Sequence, residues 1–398
     1  MQVRHHLRNF SKTYIMKIGI EAQRIFRKNK HGMDYVVLQE IKELQKIDTE
    51  NEYFVFVKPG DDHCIESTKN FHVVELNCAT YPLWEQWALP KAAKQYDVEI
   101  LHCTSNTAPI WCNIPLILTL HDIIFLEPRD KKNHSLYQNM GWLYRRLNVP
   151  RILNKSKRII TVSNFEKDNI ISKLNIPHEK MVMIYNGYND WFKPLEDKNN
   201  VYQKYIPKHG YYFFLGNTDP KKNTERTLIA YSRYLELSEV KRKLLIADLD
   251  PDYLNGIIEY NHIENIRENI IMPGYIINSD LPYIYNSAFA FLYTSLRESF
   301  GIPLLEAMAC GTPVITSNTS SMPEIGGKDA ILVNPESSDE IADMMLQLET
   351  DQAFYERQKK IGLERSKLFS WRKTAENLLS LYIDVYNEIP NKKQFNKQ

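Results

Sequence analysis

The sequence predicts an α/β protein made of two doubly wound, parallel-sheet domains. Short runs that are apolar throughout alternate with longer amphipathic stretches, the pattern of parallel strands covered on both faces by helices. That series occurs twice along the chain. At 398 residues the chain also exceeds one ordinary core and suits two.

Taken in order, the first series places strands at 17–21, 53–57, 73–76, 100–103, 116–120 and 158–162. Between the first two, VVLQEIKELQKI is apolar at positions 36, 37, 38, 41, 44 and 47, close to a helical period. The second series places strands at 212–215, 244–247, 270–272, 288–293, 314–316 and 331–333. The boundary falls in YNGYNDWFKPLEDKNN, where Asn186-Gly187 forms a turn and Pro194 precedes a polar run. This gives a first domain over 16–188 and a second over 189–368, with a long final helix over 369–389. Residues 1–15 are basic and lack the apolar core of a signal peptide, so they read as a disordered leader or an upstream start. Residues 390–398 read as a solvated tail.

Composition narrows the function. Basic and acidic residues number 50 and 49, so no bulk field draws the chain to nucleic acid. Five cysteines without a C-x-x-C pair argue against a disulfide framework or a zinc site, and for a reducing compartment. No apolar run reaches the roughly 18 residues that span a bilayer. A cytoplasmic location follows as the expectation.

The most informative stretch is RESFGIPLLEAMACGTPVITSNTSSMPE, from Arg297 to Glu324. It follows the apolar strand AFAFLY and reads as strand, glycine-bearing turn, helix. Pro303 suits a first helical turn, Gly311 caps the end, and Pro313 prevents continuation. In an open parallel sheet, ligands bind beyond the carboxyl ends of strands. The amides of Phe300, Gly301 and Ile302 would carry partial positive charge there, suited to a phosphate. Glu298 precedes those amides and Glu306 lies about one turn inside the helix. Two carboxylates flanking a phosphate site match a nucleotide sugar, which presents sugar, diphosphate and ribose in that order. Eight-residue spacing of glutamates is common by itself; the apolar helix between them gives the pair its weight.

The run S-L-R-E-S-F-G-I-P-L-L-E-A-M-A-C-G-T-P-V-I-T-S closely resembles the signature of retaining family 4 glycosyltransferases of the GT-B fold. Other landmarks follow in that family's order, over roughly residues 16–386. They are HGMDYVVLQEIKEL with Gly32, LTLHDIIFLEP with His121 and Asp122, ITVSNFEKDNI with Ser163 to Phe165, YNGYNDWF, FLGNTDPKKNTERTL with Lys222, and FSWRKTAENLLSLY. The resemblance implies two Rossmann-like domains facing each other across a cleft, the second holding the donor nucleotide and the first the acceptor. It implies catalytic roles for Lys222 at the diphosphate, Glu298 at the sugar hydroxyls and His121 beside the transferred sugar. It implies donor binding by Glu306 at the ribose, by Phe300, Gly301 and Ile302 at the phosphates, by Gly32 in the first loop, by Asn217, and by Tyr275 near the base. Asn217 and Lys221 stand where the family often has arginine, and lysine lacks arginine's bidentate fork.

The implied activity is a retaining transfer from a nucleotide diphosphate sugar to a saccharide or lipid-linked saccharide acceptor. GDP-mannose is mildly preferred by resemblance and a UDP-sugar is the alternative. No cofactor and no metal are expected. The one decoy, ADLDPD at 247–252, has the D-x-D spacing of metal-dependent transferases, but Pro251 and Tyr253 read as a helix start. Two aromatic, basic clusters, YPLWEQWALPKAAKQY and SLYQNMGWLYRRLNVPRIL, read first as helix packing with a solvated face. Their functional reading is an acceptor groove or a patch at the inner membrane surface, with Arg145, Arg146 and Arg151 meeting lipid phosphates. Two rivals remain at this point: a glycoside hydrolase using Glu298 and Glu306, and a non-catalytic sugar-binding protein.

Overall fold

Apolar runs become parallel strands because a strand buried on both faces has no use for alternation. The computed structural model describes residues 15–126 and 136–390, so the leader (apart from Ile15) and the tail beyond Pro390 lie outside the described residues. The chain divides into two units, each with its own sheet. The first takes in the described residues up to Thr161, then Lys167–Ile184, and the chain from Trp371 on. The second comprises Val162–Glu166 and Tyr185–Ser370.

The first unit holds β1 (Lys17–Glu21), β2 (Glu52–Val57), β3 (Phe71–Glu75), β4 (Ile100–Cys103), β5 (Leu116–Thr119), β6 (Ser156–Thr161) and β7 (Met181–Met183). They form one parallel sheet in the order β3-β2-β1-β4-β5-β6-β7. The three-residue edge strand β7 is absent from the sequence reading; it is too short for an apolar run to register. Helix α1 (Gly32–Ile47) buries Val36, Val37, Leu38, Ile41 and Leu44, the face read from its periodicity. In YPLWEQWALP, the helix widens into a π turn over Trp84–Ala88. Pro90 explains it, since proline cannot donate to the carbonyl four residues back. Helix α2 (Leu136–Lys155) and helix α3 (Asn164–Leu174) complete the run to the boundary.

The second unit holds β8 (Tyr211–Leu215), β9 (Leu244–Ala247), β10 (Ile270–Gly274), β11 (Ala288–Tyr293), β12 (Val314–Ser317) and β13 (Ile331–Val333). Their order, β10-β9-β8-β11-β12-β13, is again fully parallel. The helices used below are α4 (Thr224–Leu237), α5 (Pro251–Asn261), α6 (Ile302–Ala309) and α7 (Met322–Gly326). In both sheets the winding reverses once, between β1 and β4 and between β8 and β11. Chains leaving the carboxyl ends of those neighbours diverge, and a crevice opens there.

The last helix, α8 (Trp371–Asn387), starts two residues later than the expected 369, because Phe369 is buried in the second unit's core instead. Ala375, Leu378 and Leu381 of α8 join the core of the first unit. There the Tyr382 hydroxyl lies 2.7 Å from Nδ1 of His102, and Thr119 Oγ1 lies 2.7 Å from its Nε2. Burial lowers the His102 pKa from 6.5 to about 3, so the folded protein holds it neutral. The unfolded chain takes up a proton below pH 6.5, and the folded one does so only near pH 3. The stability that His102 contributes is therefore complete above the first value and lost as pH falls towards the second. Thermal melting of wild type and His102→Gln between those limits checks this: the acid-side loss should be smaller in the variant.

Candidate active site

The second unit's crevice is built by two loops. One follows β8 and runs through Asn217 to Asn223; the other follows β11 and runs from Thr294 to Gly301. The Leu296 amide donates to the Lys221 carbonyl at 2.7 Å, which locks the loops together. Asn223, buried and at φ +60°, donates to the carbonyls of Thr294 (3.0 Å) and Pro335 (2.7 Å). Asn217 shapes its own loop, its Oδ1 accepting from the Asp219 amide at 2.8 Å. Asp219 in turn caps the short turn Pro220–Lys222.

This framework delivers Lys222 to the crevice. Its Nζ lies 2.5 Å from Oε1 of Glu298 and 5.8 Å from the centre of the Tyr293 ring. Burial and the Glu298 carboxylate push the Tyr293 hydroxyl pKa up. The Glu298 backbone is held at both ends: its amide donates to Ser320 Oγ (3.1 Å), and its carbonyl accepts from Ser321 Oγ (2.9 Å).

Gly301 stands at φ +95° as the residue before α6. A methyl group added there would lie 2.7 Å from Met322 Cε and 3.2 Å from Tyr293 Cε1. The backbone conformation therefore demands glycine, and any larger residue would also have to displace the end of the Met322 side chain. Phe300 is buried, with rings of Tyr185 and Phe369 about it, and Ile302 begins the helix. Glu306, one turn further on, is half-buried. Loss of hydration raises its pKa to about 8, against the pull of the Tyr285 hydroxyl. That hydroxyl is itself buried and has no aligned hydrogen-bond partner. Tyr275 follows Gly274 at the end of β10 and is 64% exposed. The structure thus gathers Lys222, Glu298, Gly301 and Ile302 at one crevice, sets Glu306 one turn down the same helix, and leaves Tyr275 at the end of another strand.

The aspartates of the D-x-D run have structural positions. Asp250 caps α5, accepting from the Tyr253 amide at 2.9 Å, and Asp248 sits at φ +59°. Among the described residues, no three His, Cys, Asp or Glu side chains gather so as to hold a metal ion.

In the first unit, His121 follows β5 and is buried. Its amide donates to Asn106 Oδ1 at 2.7 Å, and its Nε2 lies 3.0 Å from the Thr104 carbonyl. A carbonyl only accepts, so Nε2 carries the proton and Nδ1 is left as an acceptor. Burial lowers the pKa, which keeps the ring neutral. Thr104 also donates through its amide to Glu21 Oε2 (3.2 Å) and through its hydroxyl to the Glu21 carbonyl (2.7 Å), tying the ends of β1 and β4. Gly32 is exposed at the start of α1, and an added methyl group there would touch nothing within 4 Å.

Sequence reasoning missed the residues that hold the turn from behind. Glu324 of α7 accepts from the amides of Asn164 (2.7 Å) and Phe165 (3.0 Å) at the start of α3, and from Tyr185 Oη (2.8 Å). Arg297 pairs with Glu166 at 2.8 Å. The signal available was S-N-F-E at 163–166, a capping-box pattern, which marks a helix start without naming its distant partners.

With this geometry in place, the comparisons decide the family. Residues 198–365 match the model of the glycosyl transferases group 1, and residues 31–191 match that of glycosyltransferase family 4. The O-antigen chain mannosyltransferase B of Escherichia coli is 31% identical over 319 residues, 78% of this chain and 80% of the relative. The chain belongs to the group 1 glycosyl transferases. It is a glycosyltransferase with the GT-B fold, and the hydrolase and non-catalytic alternatives fall away. The O-antigen chain mannosyltransferase RfbU of Salmonella typhimurium is 27% identical over 64% of this chain and 66% of the relative. Against the serotype-specific mannosyltransferase WbdA of E. coli, the chain spans about a third of the relative's length (32% in one case). Among solved structures, sucrose-phosphate synthase from Thermosynechococcus elongatus has a TM-score of 0.72 at 19% identity, over 93% of this chain and 99% of that one. Anabaena Alr3699/HepE in complex with UDP and glucose gives 0.68 at 15%, over 92% and 99%.

Proposed function

We propose that this glycosyltransferase moves a hexose from a nucleotide diphosphate sugar to a saccharide or lipid-linked saccharide acceptor in the synthesis of a polysaccharide or cell-surface glycan. GDP-mannose is the favoured donor, supported by the mannosyltransferase names of its relatives, with a UDP-sugar as the alternative. Anomeric configuration is retained, no metal takes part, and the reaction belongs to the cytoplasm.

One observation carries the reading: Lys222 Nζ and the start of α6 lie on the two loops that flank the reversal point of the second sheet, joined through Glu298. As the bond from the sugar carbon to the phosphate breaks, the electron pair stays on the departing diphosphate. The Lys222 ammonium and the amides at Gly301 and Ile302 stabilise that charge without reorganising. The acceptor hydroxyl adds to the sugar carbon from the face the diphosphate leaves, and its proton passes to the leaving oxygen. Glu298 gives up its contact with Lys222 and holds sugar hydroxyls. Glu306 and Tyr285 take the ribose, whose hydroxyls would supply further hydrogen bonds to the half-buried carboxyl and the buried phenol. Asn217 lines the phosphate loop, and Tyr275 stands by the base. His121 and Gly32 are the first unit's contributions to the reaction.

Peripheral contact with an anionic membrane surface is part of the proposal. Helix α2 exposes Met140, Leu143 and Leu147, with Arg146 and Arg151 also on its exposed surface. Tyr144 of α2 bonds to Gln86 at 2.7 Å, and the adjacent Trp87 is 61% exposed. Among the described residues no helix is long and apolar enough to cross a membrane. An apolar face bordered by arginines suits the headgroup layer of acidic lipids.

Three measurements check these assignments. Lys222→Ala should lower turnover with GDP-mannose by about 10²-fold, the equivalent of about 2.7 kcal/mol of transition-state stabilisation; unchanged turnover in a folded variant rejects the role. Ribose hydroxyls favour the ionised form of Glu306, so nucleotide binding should release a proton, and GDP affinity should rise with pH up to about 8. Calorimetry in buffers of different ionisation enthalpy reads that proton; its persistence in Glu306→Gln would remove the assignment. Finally, vesicles containing phosphatidylglycerol should sediment the protein while neutral vesicles do not. Equal sedimentation of wild type and a Leu143→Ser/Leu147→Ser variant would argue against this face.

A further inference from the structure

Consecutive residues of the turn after β11 have opposite destinations. Glu298 reaches Lys222, whereas Arg297 reaches back to the start of α3, which clusters with the second unit. The Arg297 Nη2 lies 2.8 Å from Glu166 Oε1, the side chains being only 17% and 0% exposed. The guanidinium also stacks over the Phe165 ring at 4.8 Å. Beside it, Ser163 Oγ donates to the carbonyl of Ser299 at 2.7 Å and accepts from the Glu166 amide at 3.2 Å. Every residue of the short S-N-F-E segment is thus engaged with this turn or with Glu324.

We infer that Arg297 and Glu166 are a positioning pair: by anchoring the residue next to Glu298 from behind, they fix the direction in which Glu298 meets Lys222 and the donor sugar. The inference rests on the proposed role of Glu298 in holding that sugar. Its physical basis is rotational. A turn held only through its backbone, at Leu296, Glu298 and Ser299, can still swing its side chains, and a guanidinium held in a buried ion pair removes that freedom. An enzyme that depends on hydroxyl contacts for orientation loses rate when such a group drifts by about 1 Å.

The test uses the full chain and a double variant, because removing one member of a buried ion pair is itself strongly destabilising. Arg297→Met/Glu166→Leu replaces both charges with apolar groups of similar size. Such exchanges are often neutral for folding, and Arg297→Lys serves as the conservative second variant. The first readout is acylation of Lys222 by a small activated ester, followed by mass spectrometry. Glu298→Gln should raise that rate by about fivefold, the worth of one partly exposed ion pair, and the double variant should raise it in the same direction. The second is GDP-mannose turnover, where the double variant should lose about tenfold in kcat with little change in KM, and Arg297→Lys should recover part of it. A double variant that keeps Lys222 acylation within about twofold of wild type, or whose losses follow its melting temperature alone, overturns the inference. Lack of wild-type turnover with GDP-mannose would count against the proposed donor, while the acylation result would still judge the positioning pair.

Discussion

The candidate site depends on one topological constraint: β8 and β11 are parallel neighbours whose onward connections run in opposite directions. Their carboxyl ends therefore release two loops from adjacent points, and nothing in the sheet itself closes the space between them. The backbone bond from Leu296 to Lys221 sets how far apart those loops stand, and buried Asn223 braces both. On that frame an ammonium from one loop and a helix start from the other converge. Either alone would be a weak anion site. In the proposed reaction they would act jointly on the diphosphate, a full charge and oriented amides against a partly buried wall, where electrostatic attraction is less screened than in water.

The site is surrounded by carboxylates, and the structure treats each differently. Glu298 is paired with the lysine, Glu166 with an arginine, and Glu324 with two amides at a helix start and a tyrosine hydroxyl. Glu306 has only the Tyr285 hydroxyl beside it, and burial outweighs that pull and shifts its pKa towards the neutral form. The proposed function places a ligand at this carboxyl and the Tyr285 phenol beside it. The first unit offers a contrast. Glu85 is fully buried on the π turn, and it accepts from Tyr81 (2.7 Å), Thr107, Gln86 (2.9 Å) and Tyr144. That carboxylate is saturated by its own surroundings, and it serves to pin α2 against the turn.

Much of the fold was legible because its strands announce themselves. Runs such as AFAFLY and KLLIA are apolar on both faces, and β1, β4, β9, β11 and β13 have the bounds read from sequence. The edge strand β7 was not legible, since three residues carry no period. Phe369 looked like part of the last helix because the residues after it are amphipathic; its burial in the second unit is a tertiary choice that periodicity does not encode. At the site, the glycine-bearing turn at Gly301 was legible through local turn chemistry, whereas Lys222 and Glu298 were singled out mainly through the family resemblance; the structure brings those two side chains together. Arg297, Glu166 and Glu324 were not legible, because their meaning lies in partners some 130 to 160 positions away in the chain. Side-chain identity at one position cannot state such pairings. Asn217 shows the converse: its place in the loop after β8 was readable, while its use as the loop's internal brace was not.

The most direct measurement of the central claim is a crystal structure of the protein with GDP. The account expects the terminal phosphate within about 3 Å of both the Lys222 ammonium and an amide at the start of α6, with Glu298 turned away from the lysine. A diphosphate bound elsewhere, with Lys222 and Glu298 still joined, would contradict it.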